Sequence, residues 1–230
     1  MRKFGLIFDL DGTLIDSRED LAISVNSLLN ELGYDPLPLE QISSYIGNGA
    51  NKLAERSLKA VGAITSLEDQ NFNELYDRLL YYYGQNLSNK STVYPGVYQV
   101  LEKLSDHPMA LVTNKPDRFT QPVLEAFNLD TFFSFIAGGD TYDQKKPDPY
   151  PLKMAMQSLH VAPDHCVMIG DGDTDIQAGQ AAGMNTIAAL YGYRSHTILK
   201  KLNPDYTVQS FRDLFPIITK LGSASKSVRS

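Results

Sequence analysis

Short apolar runs that each end at polar residues place the strongest constraint on how this chain can fold. Five of these runs stand out, and each is too short for a typical helix: residues 4–10, 109–113, 133–137, 166–170 and 186–190. They do not alternate strictly between apolar and polar side chains, which is typical of strands covered on both faces. Helix-period patterns separate them, as in βαβ units. We therefore predict an α/β fold with a doubly wound, Rossmann-like parallel sheet.

Residues 16–92 interrupt this alternation of strands and helices, because they contain helix-period patterns such as LAISVNSLLNEL and no convincing strand. Ser17 and Asp20 fit a loose capping box, and Gly33 fits the position just after a helix. The tyrosines at 81–83 are interpreted as core and rim of a helical bundle rather than as a ligand platform. We predict three parts: a core domain of residues 1–15 and 93–222, a small helical domain of residues 16–92, and a flexible tail of residues 223–230.

Composition argues against several classes of protein. No apolar run approaches the roughly 20 residues that span a bilayer. The uninterrupted apolar block near the start ends at Asp9, too soon for a signal-peptide core. The net charge is −6, and no block of Lys and Arg could neutralise several phosphates, so we expect no nucleic-acid partner. The single cysteine, Cys166, is interpreted as core filler. This usage suits a reducing cytoplasm.

Polar side chains follow four of the predicted strands, and carboxyl ends of parallel strands meet at one sheet edge. The residues concerned are Asp9 and Asp11, Thr113 and Asn114, Lys145 and Lys146, and Asp171, Asp173 and Asp175. An isolated DxDG would fit an ordinary turn. Carboxylates that converge repel one another unless a cation lies among them, and Mg²⁺ prefers oxygen ligands and phosphate. Thr113 and Lys146 would supply a hydroxyl and an ammonium to phosphoryl oxygens.

The stretch IGNGA, residues 46–50, lies inside the helical insertion. Its two glycines permit close backbone approach, and amides at a following helix N-terminus favour an anion. A simple turn between two helices explains the same residues equally well.

Four motifs resemble, in the right order, those of the haloacid dehalogenase superfamily: DLDGTLIDS, the strand ending VTN, KKPDP and GDGDTD. The helical insertion resembles the C1-type cap of that superfamily. The stretches YIGNGANKLAERSL and GGDTYDQKKPDPYPL resemble the phosphoglycolate phosphatase family. The chain departs from the familiar fourth motif at Gly172 and Asp173, where relatives often carry Ser and Arg. Asp173 is interpreted as a solvated loop acid, with an added metal ligand as the alternative.

The resemblance implies catalytic roles for four residues. Asp9 would be the nucleophile that forms an aspartyl-phosphate, and Asp11 the general acid and base. Thr113 and Lys146 would clamp the transferring oxygens, helped by backbone amides of residues 10, 11 and 114. Lys146 is preferred to Lys145 because it directly precedes a proline, as in the family's KPxP pattern.

The resemblance also implies a metal site and a substrate site. Mg²⁺ would be held by a carboxylate oxygen of Asp9, the backbone carbonyl of Asp11 and the side chain of Asp171, with Asp175 acting through water or orienting the others. Substrate binding is expected at Asn114 and at the cap loop, Gly47, Asn48 and Gly49, with Arg56 or Lys52 beside a small acid's carboxylate. Cap closure would exclude water during the reaction.

The expected function is a Mg²⁺-dependent phosphomonoester hydrolase that acts on 2-phosphoglycolate, a small phosphorylated metabolite, as a cytoplasmic monomer or homodimer. Phosphatases of sugar phosphates or pyrophosphate, and sugar-phosphate mutases, are alternatives, because cap loops set specificity. A response-regulator receiver also gathers acids, a hydroxyl and a lysine around Mg²⁺. A receiver of about 120 residues has no need of so long a helical insertion. A non-catalytic binding protein would lack some motif residue, and none is missing.

Overall fold

The computed structural model describes residues 3–223. Eight strands lie within them: β1 (Gly5–Phe8), β2 (Ile15–Asp16), β3 (Thr92–Val93), β4 (Met109–Val112), β5 (Phe135–Ala137), β6 (Cys166–Gly170), β7 (Asn185–Ala189) and β8 (Tyr206–Val208). The α-helices of the same residues are α1 (Arg18–Glu31), α2 (Leu39–Tyr45), α3 (Ala50–Ala60), α4 (Phe72–Gln85), α5 (Val97–Lys103), α6 (Asp117–Ala126), α7 (Tyr150–Leu159), α8 (Asp173–Ala181), α9 (His196–Lys201) and α10 (Leu214–Ser223). No helix among them is both long and apolar enough to cross a bilayer.

Six strands form one parallel sheet in the order β5-β4-β1-β6-β7-β8. Each of the five predicted runs contains most of a strand, so the predicted α/β class is confirmed. The sixth strand, β8, was not predicted, because it has only three residues and follows Pro204 and Asp205. It pairs with β7 at the sheet's far edge. The central position of β1 puts the residues that follow it in the middle of the sheet's carboxyl edge.

Helices cover both faces of this sheet, which explains why its strands β1 and β4 are apolar throughout. In β1, Leu6 and Phe8 belong to one hydrophobic cluster, with residues of α5 and α10. Ile7 belongs to a second cluster, with residues of α7 and α8. Successive side chains of a strand point to opposite faces, so a strand between two helical layers needs an apolar residue at every position. Each fully buried side chain of this size contributes roughly 1.5–3 kcal/mol.

Helices α1 to α4 have a hydrophobic cluster of their own, in which α1 packs along α4. The predicted helix end at Gly33 is confirmed, since that residue has φ +79° and follows the last turn of α1. The predicted capping box at Ser17 is wrong, because the Ser17 side chain makes no cap hydrogen bond. The carboxylate of Asp20 instead accepts hydrogen bonds from the backbone amides of Lys90 and Ser91, where the chain returns from α4.

The chain passes between the sheet and the bundle of α1 to α4 through a short two-stranded ribbon. Strands β2 and β3 pair antiparallel there, with Asp16 opposite Thr92. The segment was expected to have no strand, and this two-residue pairing at its two ends is too short to leave a sequence pattern. The proposed domain limits at residues 16 and 92 remain a prediction. The predicted tail was residues 223–230, and its first residue, Ser223, is the last of α10. Residues 224–230 of that prediction lie outside the described part of the chain.

Candidate active site

Three carboxylates converge at the carboxyl edge of the sheet. Asp9 follows β1, Asp171 follows the neighbouring strand β6, and Asp175 lies in the first turn of α8. One carboxylate oxygen from each lies within 4.8 Å of the other two, and all three residues are buried. Parallel pairing places Phe8 level with Ile169, so the residues just beyond β1 and β6 must meet.

This acidic cluster is poorly compensated by protein charges. Burial raises the pKa of Asp9 to about 6, with Asp175 adding repulsion and Lys146 opposing the rise. Burial together with Asp9 and Asp175 raises the pKa of Asp171 well above its usual range. Buried acids with raised pKa values are stabilised as anions by a cation placed among them. Because the donor atoms are all carboxylate oxygens, the residues fit a hard divalent metal ion.

The loop after β1 is shaped around Asp171. Gly12 has φ +88°, and a Cβ atom there would lie 2.3 Å from Oδ2 of Asp171, so only glycine permits this approach. Thr13 donates its hydroxyl to Oδ1 of Asp171 at 3.1 Å, and the backbone amide of Tyr193 donates to Oδ2 at 2.8 Å. These contacts fix the orientation of the carboxylate.

Lys146 is the cation that contacts the cluster. Its ammonium lies 2.9 Å from Oδ1 of Asp9 and 2.7 Å from Oδ1 of Asp175. Burial lowers the pKa of Lys146, but the attraction of Asp175 and Asp9 outweighs it, so the pKa is raised and the residue stays charged. Lys145 is exposed. Oδ2 of Asp175 accepts the backbone amide of Gly172 at 2.8 Å, so protein groups contact both of its oxygens.

Thr113 and Asn114 follow β4 and line a cavity with Asp9 and Asp11. Asn114 donates its side-chain amide to the backbone carbonyls of Gly47 at 3.1 Å and Lys146 at 2.8 Å, which ties the helical unit to the sheet. Within residues 3–223, the backbone amides at positions 10, 11 and 114 donate to no other protein atom. These amides are available to the oxygens of a phosphoryl group.

The loop between α2 and α3 forms the wall of the cavity on the side of the helical insertion. Gly47 and Gly49 line it with φ values of +107° and +88°. Asn48 and Arg56 do not line it. The Arg56 guanidinium donates to the backbone carbonyl of Tyr45 at 3.0 Å and to Oδ1 of Asn48 at 2.9 Å, so both side chains brace the loop. Lys52 is paired with Glu55 and also lies outside the lining.

Sequence reasoning missed the groups that surround Asp11. The hydroxyl of Ser17 donates to Oδ1 of Asp11 at 2.6 Å. The Lys115 ammonium lies 3.3 Å from the same oxygen and donates to the Tyr83 hydroxyl at 2.5 Å. Tyr83 is buried in the helical bundle and Tyr81 is exposed, which fits the predicted core and rim, but Tyr83 also lines the cavity. Lys115 directly follows Thr113 and Asn114, so the strand-end argument could have included it.

Arg194 was also missed, although it connects the sheet to the cap loop. Its Nε lies 2.8 Å from Oδ1 of Asp173, and its terminal nitrogens donate to the backbone carbonyls of Ser44 and Ile46 at 3.4 Å. Asp173 therefore pairs with an arginine and lies outside the cluster of three carboxylates.

A family model described as haloacid dehalogenase-like hydrolase matches residues 6–189. The chain is 40% identical over 223 residues to a phosphoglycolate phosphatase of Haemophilus influenzae, covering 94% of this chain and 99% of the relative. It is 41% identical over 226 residues to one of Psychrobacter arcticus, covering 96% and 97%.

Solved structures agree with these sequence matches. A crystal structure described as a predicted phosphoglycolate phosphatase from Haemophilus somnus superposes with a TM-score of 0.88 at 33% identity, covering 94% of this chain and 98% of that one. The resemblance seen in the four motifs is confirmed. The chain therefore belongs to the haloacid dehalogenase-like hydrolases, and it is an enzyme that resembles the phosphoglycolate phosphatases among them.

Proposed function

We propose that this enzyme is a Mg²⁺-dependent phosphomonoester hydrolase that forms an aspartyl-phosphate on Asp9 and acts on 2-phosphoglycolate. The observation that carries the proposal is the buried cluster of Asp9, Asp171 and Asp175 with the Lys146 ammonium beside Asp9. A cluster of this kind can neutralise a phosphate ester only with a cation among its acids. Asp9, Asp171 and the backbone carbonyl of Asp11 would hold Mg²⁺, with Asp175 orienting Lys146. When bound, Mg²⁺ supplies positive charge to the transferring phosphoryl group.

The reaction uses two aspartates in different surroundings. A carboxylate oxygen of Asp9 attacks phosphorus, and the bond from phosphorus to the ester oxygen breaks. Asp11 gives its proton to the departing alkoxide, then takes a proton from the water that attacks the phosphorus of the aspartyl-phosphate. The bond from phosphorus to the Asp9 oxygen breaks in this second step, which releases inorganic phosphate and restores the Asp9 carboxylate. Asp11 suits this role because it lies outside the cluster of three carboxylates and contacts Ser17 and Lys115 instead. Thr113, Lys146 and the free amides at positions 10, 11 and 114 hold the phosphoryl oxygens.

The substrate assignment rests on the cavity and on the relatives. The cavity is lined by Asp9, Asp11 and Thr113, and Gly47 and Gly49 of the cap loop line it as well. Relatives about 40% identical over almost the full chain are named phosphoglycolate phosphatases. A receiver-type phospho-acceptor is disfavoured, because the family is one of hydrolases. The cytoplasmic location and a monomeric or dimeric state remain predictions from sequence.

A substrate panel tests the proposal. 2-Phosphoglycolate, glucose 6-phosphate, pyrophosphate and p-nitrophenyl phosphate are compared at equal concentrations, with Mg²⁺ and with EDTA. We expect the highest kcat/KM for 2-phosphoglycolate and no turnover in EDTA. A clear preference for a sugar phosphate or for pyrophosphate would reject the substrate while leaving the chemistry in place. Full activity in EDTA would reject the metal.

A further inference from the structure

Lys115 occupies an unusual position in the cavity. Its side chain is fully buried, and it supplies the only cationic side chain among the cavity-lining residues in the described part of the chain. The other lysine of the site, Lys146, lies on the far side of Asp9 against Asp175. The basic residues of the cap, Lys52 and Arg56, are engaged elsewhere. Within the lining of this cavity, Lys115 is therefore the side chain that can pair with a second negative group of the substrate.

The partners of Lys115 leave its charge only partly compensated. The Nζ atom lies 3.3 and 3.4 Å from the two oxygens of Asp11, whereas a tight charge-assisted contact has a length of about 2.7–2.9 Å. Its short contact is with the neutral hydroxyl of Tyr83, and the Tyr83 ring centroid lies 4.7 Å away. Asp9 is held by Lys146. A buried ammonium is costly unless an anion is close to it, so this position favours a negative ligand.

The distance between the Lys115 ammonium and the Asp11 carboxylate indicates where that negative group would lie. A general acid reaches the leaving oxygen at about 2.6–3.2 Å. Because Lys115 lies just over 3 Å from the same carboxyl group, it is beside the leaving oxygen and the atoms attached to it. A carboxylate on the carbon bonded to the ester oxygen would therefore lie close to the Lys115 ammonium. Gly47 and Gly49 line the same cavity on the cap side.

We propose that Lys115 is the specificity-determining residue that binds the substrate's carboxylate, with Tyr83 holding its ammonium in place. The site then selects phosphate esters of 2-hydroxy acids. This inference rests on the proposed function. It assigns to a residue that follows β4 the role that sequence reasoning gave to the cap loop, with Arg56 or Lys52 as helpers.

The test compares two substrates that differ only in the carboxylate. The Lys115→Met variant is assayed with 2-phosphoglycolate and with 2-hydroxyethyl phosphate, which carries a neutral hydroxyl in place of the acid. We expect kcat/KM for 2-phosphoglycolate to fall by roughly 10- to 100-fold more than kcat/KM for 2-hydroxyethyl phosphate. The exposed Lys153 provides the matched control, and Lys153→Met should leave both values unchanged. An equal loss on both substrates would overturn the proposal, because Lys115 would then act only on Asp11 or on the fold.

A binding measurement separates recognition from catalysis. Calorimetry in Mg²⁺ compares 3-phosphonopropionate, a non-hydrolysable analogue with the carboxylate, with propylphosphonate, which lacks it. The wild type should prefer the first, and Lys115→Met should lose that preference while still binding propylphosphonate. Retained preference in the variant would also overturn the proposal. If the wild-type enzyme does not favour 2-phosphoglycolate over 2-hydroxyethyl phosphate, the proposed substrate is wrong. This result is known before any variant is made, so it is distinguishable from a failure of the Lys115 proposal.

Discussion

The ammonium of Lys146 lies 2.9 Å from Oδ1 of Asp9, although the two residues are 137 positions apart in the chain. Asp9 follows the central strand β1, and Lys146 comes from the loop after the edge strand β5. Both are buried, so their attraction is screened less than it would be at the surface. The pair places a fixed positive charge beside the atom that is proposed to attack phosphorus.

Removing this charge should reduce turnover strongly. We expect Lys146→Met to lower kcat by roughly 100- to 1,000-fold, because a preorganised cation no longer faces the charge that develops on the phosphoryl oxygens. Lys145→Met is the matched control, since this exposed neighbour does not contact the acidic cluster, and it should keep most of the activity. Steady-state kinetics with 2-phosphoglycolate measures both. Comparable losses of kcat in the two variants would contradict the assignment of this role to Lys146 rather than to Lys145.

The metal-free enzyme should lose stability as pH rises. The pKa of Asp9 is about 6 in the folded protein, against an ordinary value of 3.8. Between these two values the folded state binds more protons than the unfolded state, so the free energy of unfolding falls with increasing pH. Asp171, whose pKa is also raised, extends the effect to higher pH. Thermal unfolding in EDTA between pH 4 and pH 8 should show this decline.

Mg²⁺ should reverse that decline, with a larger increase in Tm at pH 7.5 than at pH 5, because metal and protons compete for the same oxygens. Asp171→Asn removes one buried charge. We expect it to raise the Tm of the metal-free protein at pH 7.5 and to abolish the stabilisation by Mg²⁺. A variant that is stabilised by Mg²⁺ as strongly as the wild type would show that Asp171 is not a ligand.

Gly12 and Gly33 make a matched pair of positive-φ glycines. A Cβ atom at Gly12 would lie 2.3 Å from Asp171, whereas one at Gly33 would meet no atom within 4 Å. Gly33→Ala should cost about 1 kcal/mol through backbone strain alone, with normal kinetics. Gly12→Ala should cost more and should also abolish activity and Mg²⁺ binding, because the clash displaces the Asp171 carboxylate. If the two variants had the same stability and activity, the loop around Gly12 would have to accommodate the added Cβ atom without displacing Asp171.

From the sequence, Asp9 and Asp171 were expected to lie near one another, because each follows an apolar run and the carboxyl ends of parallel strands share one sheet edge. The two strands are adjacent and parallel in the structure, and the two carboxylates lie in one cluster with Asp175. The strand β8 could not be predicted, since three residues carry too little periodicity. The capping box at Ser17 was wrong for a related reason. Its motif is local, whereas the Ser17 hydroxyl is used by Asp11, a contact that only the folded loop creates.

The contacts between the sheet and the bundle of α1 to α4 could also not be predicted from the sequence. Lys115 contacts Tyr83, and Arg194 contacts the backbone of the cap loop, across segments that share no periodic pattern. Long polar side chains are usually solvated, so a lysine in a turn gives no signal that it is buried. The side chains proposed to bind substrate therefore come together only when the helical insertion is packed against the sheet.

The most direct test of the account is to trap the covalent intermediate. The wild type is mixed with 2-phosphoglycolate and Mg²⁺, quenched in acid within milliseconds and reduced with borohydride, which converts an aspartyl-phosphate to homoserine, and its peptides are analysed by mass spectrometry. We predict homoserine at position 9 only when substrate is present, and neither homoserine nor turnover in Asp9→Asn. Homoserine at another carboxylate, or more than trace turnover in Asp9→Asn, would contradict the assignment of Asp9 as the nucleophile.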